Sequence, residues 1–268
     1  MRKVTSSALR IDGLVKSFAG VRAVDDLSIE IESGRITGLI GPNGSGKSTT
    51  IDCITGFARP DSGKVRLGGR DITGLPAHQV ALAGMTRTFQ NVRVYERLSI
   101  LENLLVAAQQ LRTFHWWTLF RGANAAKEAE ETLRQRAHEL LDLVALSRLA
   151  QAPAGILSYG QRKLVALGMS LMSSPKIIIL DEPLAGVNPT IINMISRIVA
   201  DLNARGQTFL IVEHNMDFIM KHCDRVIVLE SGCLLAEGPA RVVREDERVL
   251  AAYLGGKKPP EVVHAGVQ

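Results

Sequence analysis

A glycine-rich segment limits the folds open to this chain more than any other stretch of its sequence. The segment consists of Gly41, Pro42, Asn43, Gly44, Ser45, Gly46, Lys47, Ser48 and Thr49. It matches G-x-x-x-x-G-K-[ST], a pattern that cradles phosphates when it joins a strand to a helix. The apolar, β-branched residues 35–40 before it predict a buried strand, and residues 49–55 after it predict a helix. The sequence therefore predicts a site for a nucleotide phosphate at this loop.

Each residue type in this loop has a chemical reason to be there. The glycines allow the backbone to turn its N–H groups towards an anion, and the N-terminus of the next helix favours negative charge. Lys47 can reach the outer phosphates, and the Ser48 hydroxyl can ligate Mg²⁺. The loop alone leaves several classes open: a kinase, a GTPase, a helicase, a transporter ATPase, or a glycine-rich turn that binds nothing.

Composition narrows the class of protein. The chain has 268 residues and is 46% hydrophobic, which predicts one large α/β domain with room for an inserted lobe. It has no secretory-signal core and no run of 18 apolar residues, so a membrane role has to come through a partner. Cys53, Cys223 and Cys233 lack C-x-x-C spacing, which argues against a zinc site or a disulfide framework and favours a reducing cytoplasm. The net charge of +5 comes from scattered lysines and arginines, so we predict no nucleic-acid partner.

Apolar patterning divides the chain into a core and an insertion. Residues 8–32 predict two antiparallel strands with Phe18 in the loop between them; packing in the hydrophobic core is favoured for this aromatic, and stacking on an adenine ring is the alternative. Gln90 follows another predicted strand, and a helical lobe with a capping box at Ser99 comes next. We assign residues 8–90 and 156–240 to an α/β core with an antiparallel β subdomain, 91–155 to the inserted lobe and 241–268 to a C-terminal extension.

Two later strands are predicted to deliver polar residues to one edge of the core. Residues 177–180 are continuously apolar and lead into Asp181 and Glu182, and residues 208–212 lead into His214. Adjacent carboxylates after a buried strand are costly unless Mg²⁺ uses one and an attacking water uses the other. A lone histidine is more often structural, but ligands of open α/β sheets bind beyond the carboxyl ends of strands. We therefore expect these residues and the glycine-rich loop to converge on one phosphate site.

With these elements in place, the chain resembles an ATP-binding cassette, the ATPase subunit of an ABC transporter. The resemblance rests on six motifs in the family's order: the phosphate loop, the glutamine loop at Gln90, the signature sequence, the carboxylate pair, the loop 185–189 and the switch histidine His214. The signature sequence here is Leu157, Ser158, Tyr159, Gly160 and Gln161. The resemblance implies a P-loop NTPase core of ABC type that binds Mg-ATP. It also implies that Phe18 stacks on adenine and that Gln90 and Asp181 join Ser48 at Mg²⁺, Asp181 directly or through a water.

One departure from the commonest family pattern points to a subgroup. Tyr159 stands where that pattern has glycine, and a tyrosine there is familiar in the ATPases that power branched-chain amino acid uptake. Further segments similar to that subgroup are residues 87–91, 102–107, the aromatic insertion 114–120, 181–186 and the ending 252–255. The chain is therefore similar to the longer of the two ATPase subunits of such an importer.

The resemblance also implies a mechanism and a set of partners. Lys47 and Mg²⁺ offset phosphate charge, Glu182 orients or deprotonates the attacking water, and His214 stabilises the developing charge. Ser158 and Gly160 of one subunit close over ATP held by a second ATPase subunit, which is identical or homologous. Two membrane permease subunits hold the pair at the cytoplasmic face of the membrane, and a substrate-binding protein is an indirect partner.

Other interpretations stay open at this point. A soluble ABC ATPase acting on ribosomes or DNA usually has two cassettes or a long coiled coil, and this sequence has neither. A nucleotide-binding regulator without hydrolysis conflicts with Glu182 and His214. Within the importer interpretation, urea, an amide or another amino acid is an alternative cargo, because the ATPase does not touch what is transported.

Overall fold

The computed structural model describes residues 7–88, 93–109 and 122–254. Its strands are β1 (Ser7–Phe18), β2 (Val21–Glu32), β3 (Ile36–Ile40), β4 (Ser62–Leu67), β5 (Arg70–Asp71), β6 (Met85–Thr88), β7 (Ile177–Asp181), β8 (Thr208–Val212), β9 (Arg225–Glu230) and β10 (Cys233–Pro239). Its helices are α1 (Lys47–Ile54), α2 (Ala77–Ala83), α3 (Ile100–Gln109), α4 (Gly122–Leu143), α5 (Tyr159–Leu171), α6 (Pro189–Ala204), α7 (Met216–His222), α8 (Ala240–Arg244) and α9 (Glu247–Leu254). Gln90 and the aromatic insertion 114–120 lie outside the described residues.

The larger of the two sheets formed by the described residues carries the strands that end at the predicted site. Its order is β10-β9-β3-β8-β7-β6, in which β9, β3, β8, β7 and β6 are parallel and β10 pairs antiparallel with β9. Ile177 and Ile179 of β7 belong to one hydrophobic cluster, while Ile178 and Leu180 belong to another. The sheet is therefore covered on both faces, which explains why its strands are continuously apolar rather than alternating.

The smaller sheet is antiparallel, in the order β2-β1-β4-β5, and its inner face packs on α1 through residues such as Leu9 and Ile51. The two predicted strands of residues 8–32 are confirmed, but the placement of Phe18 in a loop and in the core is wrong. Phe18 is the last residue of β1, pairs with Val21 across the hairpin, and is 52% exposed. The turn consists of Ala19 and Gly20 alone, both with positive φ, so Phe18 lies at the exposed tip of the hairpin.

Three helices, α3, α4 and α5, pack against one another and share a hydrophobic cluster with β7. The capping box predicted at the start of α3 is confirmed. The Glu102 carboxylate accepts the Ser99 N–H at 2.7 Å, and the Ser99 hydroxyl accepts the Glu102 N–H at 3.1 Å. Among the helices of the described residues, none combines the length and apolar character needed to cross a membrane.

Candidate functional site

The sheet order brings the predicted site residues to one edge. Strands β3, β8 and β7 are parallel neighbours, and in register both Leu39 and Asp181 pair with Val212. The glycine-rich loop begins two residues after Leu39, Glu182 follows Asp181, and His214 lies two residues after Val212. The predicted convergence of the three strand ends is therefore confirmed.

The glycine-rich loop is held tightly by its surroundings. Ser45 is buried, its N–H donates to the Pro42 carbonyl at 3.2 Å, and its carbonyl accepts the Gly232 N–H from the β9–β10 turn at 3.1 Å. A Cβ on Gly41 would lie 2.2 Å from the Leu229 carbonyl oxygen, so only glycine fits there. Gly46 precedes α1 with φ 95° and turns the chain into the helix. The loop is therefore a fixed cradle with a helix N-terminus behind it.

Lys47 lies across this cradle and interacts electrostatically with the Glu182 carboxylate, which follows β7. Its Nζ donates to the carbonyls of Gly41 at 2.8 Å and Pro42 at 2.9 Å. Burial lowers the pKa of Lys47, and the negative charge of Glu182 opposes that shift. The two loop carbonyls hold the Lys47 ammonium in place, and the Glu182 carboxylate helps to stabilise its charge. The ammonium is therefore suited to bind a phosphate.

Glu182 is held in an uncommon backbone conformation. Its φ is 47°, in the left-handed region, its N–H donates to the Val212 carbonyl at 2.9 Å, and its own carbonyl accepts Lys163 Nζ at 2.8 Å. Non-glycine residues persist in this region only where their surroundings impose it, and such residues cluster at functional sites. Strands β7 and β8 and helix α5 thus fix the backbone position from which the Glu182 side chain extends.

The residues expected at Mg²⁺ offer oxygen ligands of the right chemistry. Ser48 is exposed in the first turn of α1, and the Asp181 carboxylate ends β7. Hydroxyl and carboxylate oxygens suit this hard cation. Within the described residues no group of three or more His, Cys, Asp or Glu side chains is arranged to hold a metal. The donor chemistry of Ser48 and Asp181 therefore fits Mg²⁺.

Glu213 is a buried carboxylate that the sequence interpretation did not use. It is 1% exposed, and it accepts the N–H of Leu184 at 2.9 Å and of His214 at 3.1 Å. It therefore ties the loop after Glu182 to the backbone at His214. The signal was visible as a charged residue directly after a continuously apolar strand. The His214 side chain itself is 67% exposed.

The signature residues start helix α5, as predicted. Ser158 caps it: its hydroxyl accepts the Gln161 N–H, and Gln161 Oε1 accepts the Ser158 N–H at 3.0 Å. A Cβ on Gly160 would lie 2.8 Å from the Ile191 side chain. Ser158 and Tyr159 are exposed, and the Tyr159 ring lies beside Gly186 of the loop 185–189. Ser158 and Gln161 thus bond to each other, and the exposed side chains at the start of the helix are those of Ser158 and Tyr159.

Lys163 joins helix α5 to the segment that follows β7, and sequence reasoning missed it. It is buried, and Nζ donates to the carbonyls of Glu182 at 2.8 Å and Pro183 at 3.2 Å. Burial lowers the pKa of Lys163, while the charges of Glu213, Glu182 and Asp181 oppose that shift. Nothing in the local periodicity separates this lysine from a solvated one.

Replacement of Lys163 by methionine is expected to lower the free energy of unfolding by about 1–3 kcal/mol, because one partly buried and one buried carbonyl lose their donor. ATP hydrolysis should fall more than ATP binding, since Glu182 loses part of its support. Denaturant unfolding, nucleotide titration and phosphate release measure the three quantities. Exposed Lys64 on β4 provides the control, and Lys64→Met should stay within about 0.5 kcal/mol of wild type. Equal losses in the two variants would contradict the role given to Lys163.

Comparison with known proteins agrees with this geometry. The model of the ABC transporter family matches residues 24–185, and a second model, described as branched-chain amino acid ATP-binding cassette transporter, matches residues 233–258. The chain is 37% identical over 249 residues to the high-affinity branched-chain amino acid transport ATP-binding protein BraF of Pseudomonas aeruginosa, covering 92% of this chain and 97% of that protein. It is 38% identical over 251 residues to the probable branched-chain amino acid transport ATP-binding protein LivG of Archaeoglobus fulgidus, covering 93% and 96%.

Solved structures give the same result. A crystal structure of an ATP-binding cassette of an ABC transporter in its ADP conformation is 38% identical, with a TM-score of 0.82 over 94% of this chain and 100% of that one. A nucleotide-free ATP-binding cassette from an ABC transporter gives a TM-score of 0.80 at the same identity, over 92% and 98%. The chain belongs to the ABC transporter family, as an ATP-binding cassette ATPase with the P-loop fold.

Proposed function

We propose that this ATPase powers the uptake of branched-chain or related amino acids through membrane partner subunits. The observation that carries the proposal is likeness along nearly the whole chain to proteins named for branched-chain amino acid transport, together with the C-terminal match at residues 233–258. The permeases would supply the pathway across the membrane and hold this subunit at its cytoplasmic face. Urea, an amide or another amino acid is the alternative cargo.

The chemistry proposed for the site follows from its geometry. Lys47 and the N–H groups of the loop would bind the outer phosphates, and Ser48, Asp181 and Gln90 would hold Mg²⁺, which offsets charge on the β- and γ-phosphates. Glu182 would accept a proton from, or orient, the water that attacks the γ-phosphate. His214 lies at the exposed rim, where it would stabilise the charge that develops. Phe18, exposed on its hairpin, would stack on adenine.

A single subunit holds half of the proposed site. The helix start at Ser158, Tyr159 and Gly160, of which Ser158 and Tyr159 are exposed and Gly160 is buried, would close over the nucleotide bound by a second ATPase subunit, identical or homologous, so that two subunits enclose two ATP molecules. A helix N-terminus with a capping hydroxyl favours the negative charge of a phosphate. The Lys163 contacts then connect each signature motif to the catalytic loop of its own subunit.

A groove beside the site offers a docking surface for the permeases. Its cavity volume is about 850 Å³, and it lies between α2, β6, α3 and α5. Three large apolar side chains are exposed in it: Phe57, Leu82 and Tyr95. Exposed apolar clusters of this kind mark protein interaction sites. We place the contact with the permeases here, between the proposed core and the inserted lobe 91–155, and a substrate-binding protein would act only through the permeases.

The test is transport by the reconstituted complex. The subunit, its permeases and its binding protein are assembled in vesicles with ATP inside, and uptake of labelled leucine, valine, isoleucine and urea is measured. We expect ATP-dependent uptake of the branched-chain amino acids and none with Glu182→Gln subunits. Uptake of urea alone would reassign the cargo, and recovery of the native subunit only with ribosomes or DNA would reject the transport role.

A further inference from the structure

Arg87 occupies a position between the phosphate site and the groove. It lies in β6, opposite Ile179 of β7, and its side chain is 10% exposed. Its guanidinium carbon lies 5.8 Å from the centre of the Phe57 ring, and both residues line the groove. The side chain therefore extends from the groove wall towards the carboxyl end of β7.

The guanidinium group bridges two carboxylates. Its Nη1 lies 2.6 Å from Asp52 Oδ1 in α1, and its Nη2 lies 2.7 Å from Asp181 Oδ2. Nε also donates to Asp181 Oδ2, at 3.2 Å. Arg87 thus connects the helix that follows the phosphate loop to the carboxylate proposed for Mg²⁺.

The contact with Asp181 has the geometry of an orienting interaction. The Asp181 side chain is 13% exposed, so its charge needs a partner. A guanidinium that donates two N–H groups to one oxygen holds that oxygen in place, and its rigid planar fork does so more firmly than a flexible ammonium. Both donors converge on Oδ2, so Oδ1 stays outside the guanidinium fork. Residues that hold a metal ligand in this way affect metal affinity although they never touch the metal.

We propose that Arg87 is a positioning residue for the magnesium site: it holds Asp181 by one oxygen so that the carboxylate meets Mg²⁺ delivered with the nucleotide. The inference rests on the Mg²⁺ site of the proposed function. Asp52 anchors the far end of the guanidinium, which makes α1, β6 and β7 one connected unit around the cation. The hydrogen bonds described above join Arg87 to Asp52 and Asp181, which lie outside the phosphate loop, so ADP binding without Mg²⁺ should depend on Arg87 far less than binding with Mg²⁺.

The test compares ADP binding to the purified subunit with Mg²⁺ and with excess EDTA, which needs no turnover. We expect Arg87→Gln to reduce the gain in ADP affinity that Mg²⁺ provides by about 10-fold or more. The affinity for ADP in excess EDTA should stay within about twofold of wild type. Asp52→Asn, which leaves Asp181 untouched, should shift the gain in the same direction by less. Manganese(II) with ADP gives an independent readout, because the EPR spectrum of the bound ion should change in Arg87→Gln.

Two controls separate the possible outcomes. Arg66→Gln removes an ion pair of similar length, 2.7 Å to Asp12, on the smaller sheet and should leave the Mg²⁺ gain unchanged. If Asp181→Asn keeps the full gain, the proposed magnesium site fails, and this inference fails with it. If Asp181→Asn loses the gain while Arg87→Gln keeps it, only the role of Arg87 is rejected. An equal loss of binding with Mg²⁺ and with EDTA in Arg87→Gln would show a merely structural role.

Discussion

Replacing Glu182 by glutamine is expected to reduce ATP hydrolysis by about 100-fold or more, because the amide cannot accept a proton from water. Glutamine has nearly the same shape, and the backbone contacts that set this position remain: the N–H bond to Val212 and the carbonyl bond to Lys163. ATP binding should therefore stay within about twofold of wild type, since removing a proton acceptor leaves ground-state contacts in place. Phosphate release and equilibrium nucleotide titration measure the two quantities.

The same substitution tests the proposed dimer. If closure over ATP needs binding but not hydrolysis, Glu182→Gln should accumulate a nucleotide-bound dimer in light-scattering or gel-filtration experiments with Mg-ATP. Glu230, at the end of β9 in the same sheet, is the matched control, and Glu230→Gln should hydrolyse ATP normally. Undiminished turnover by Glu182→Gln would reject the role of Glu182, and a monomer at every ATP concentration would reject the trapped dimer.

The sequence predicts the fold well where local patterns and the parallel sheet agree. The continuously apolar segment 177–180 predicts a strand covered on both faces, as observed, and the cap at Ser158 sets the start of α5 through its own side chain. The convergence of three strand ends follows from a general property of parallel sheets. These predictions need only the spacing of apolar residues, the chemistry of helix capping and the direction of the strands.

The sequence does not predict how the site residues are held. Arg87 and Lys163 each lie in a segment whose apolar pattern is the same whether the charged side chain faces water or a buried carboxylate. Their partners are 94 and 19 residues away in the chain, so the contacts exist only after the sheet and α5 have packed. The prediction that Phe18 lies in the hydrophobic core is wrong for a local reason, because a two-residue turn puts this aromatic at the exposed tip of its hairpin.

Substituting alanine for Gly46 is expected to weaken ATP binding by about 100-fold, because a small displacement of a positioning group is enough to cause such a loss. The backbone of Gly46 has φ 95°, and a Cβ there would lie 2.4 Å from the Ala23 carbonyl oxygen and 3.3 Å from Gly232 Cα. Both neighbours are backbone atoms of packed strands and turns, so the loop itself has to move. Its N–H groups and Lys47 would then leave the positions that suit a phosphate.

Gly44 provides a control within the same loop. Its φ is 80°, so alanine there meets the same left-handed strain, which costs roughly 1–2 kcal/mol. A Cβ on Gly44 has nothing within 4 Å, however, so no neighbour forces the loop to move. Gly44→Ala should therefore lose far less affinity for ATP than Gly46→Ala in titrations of folded protein checked by circular dichroism. Equal losses would mean that backbone strain alone governs the loop. A larger loss in Gly46→Ala would show that the contacts with β2 and with the β9–β10 turn hold the cradle in its binding shape.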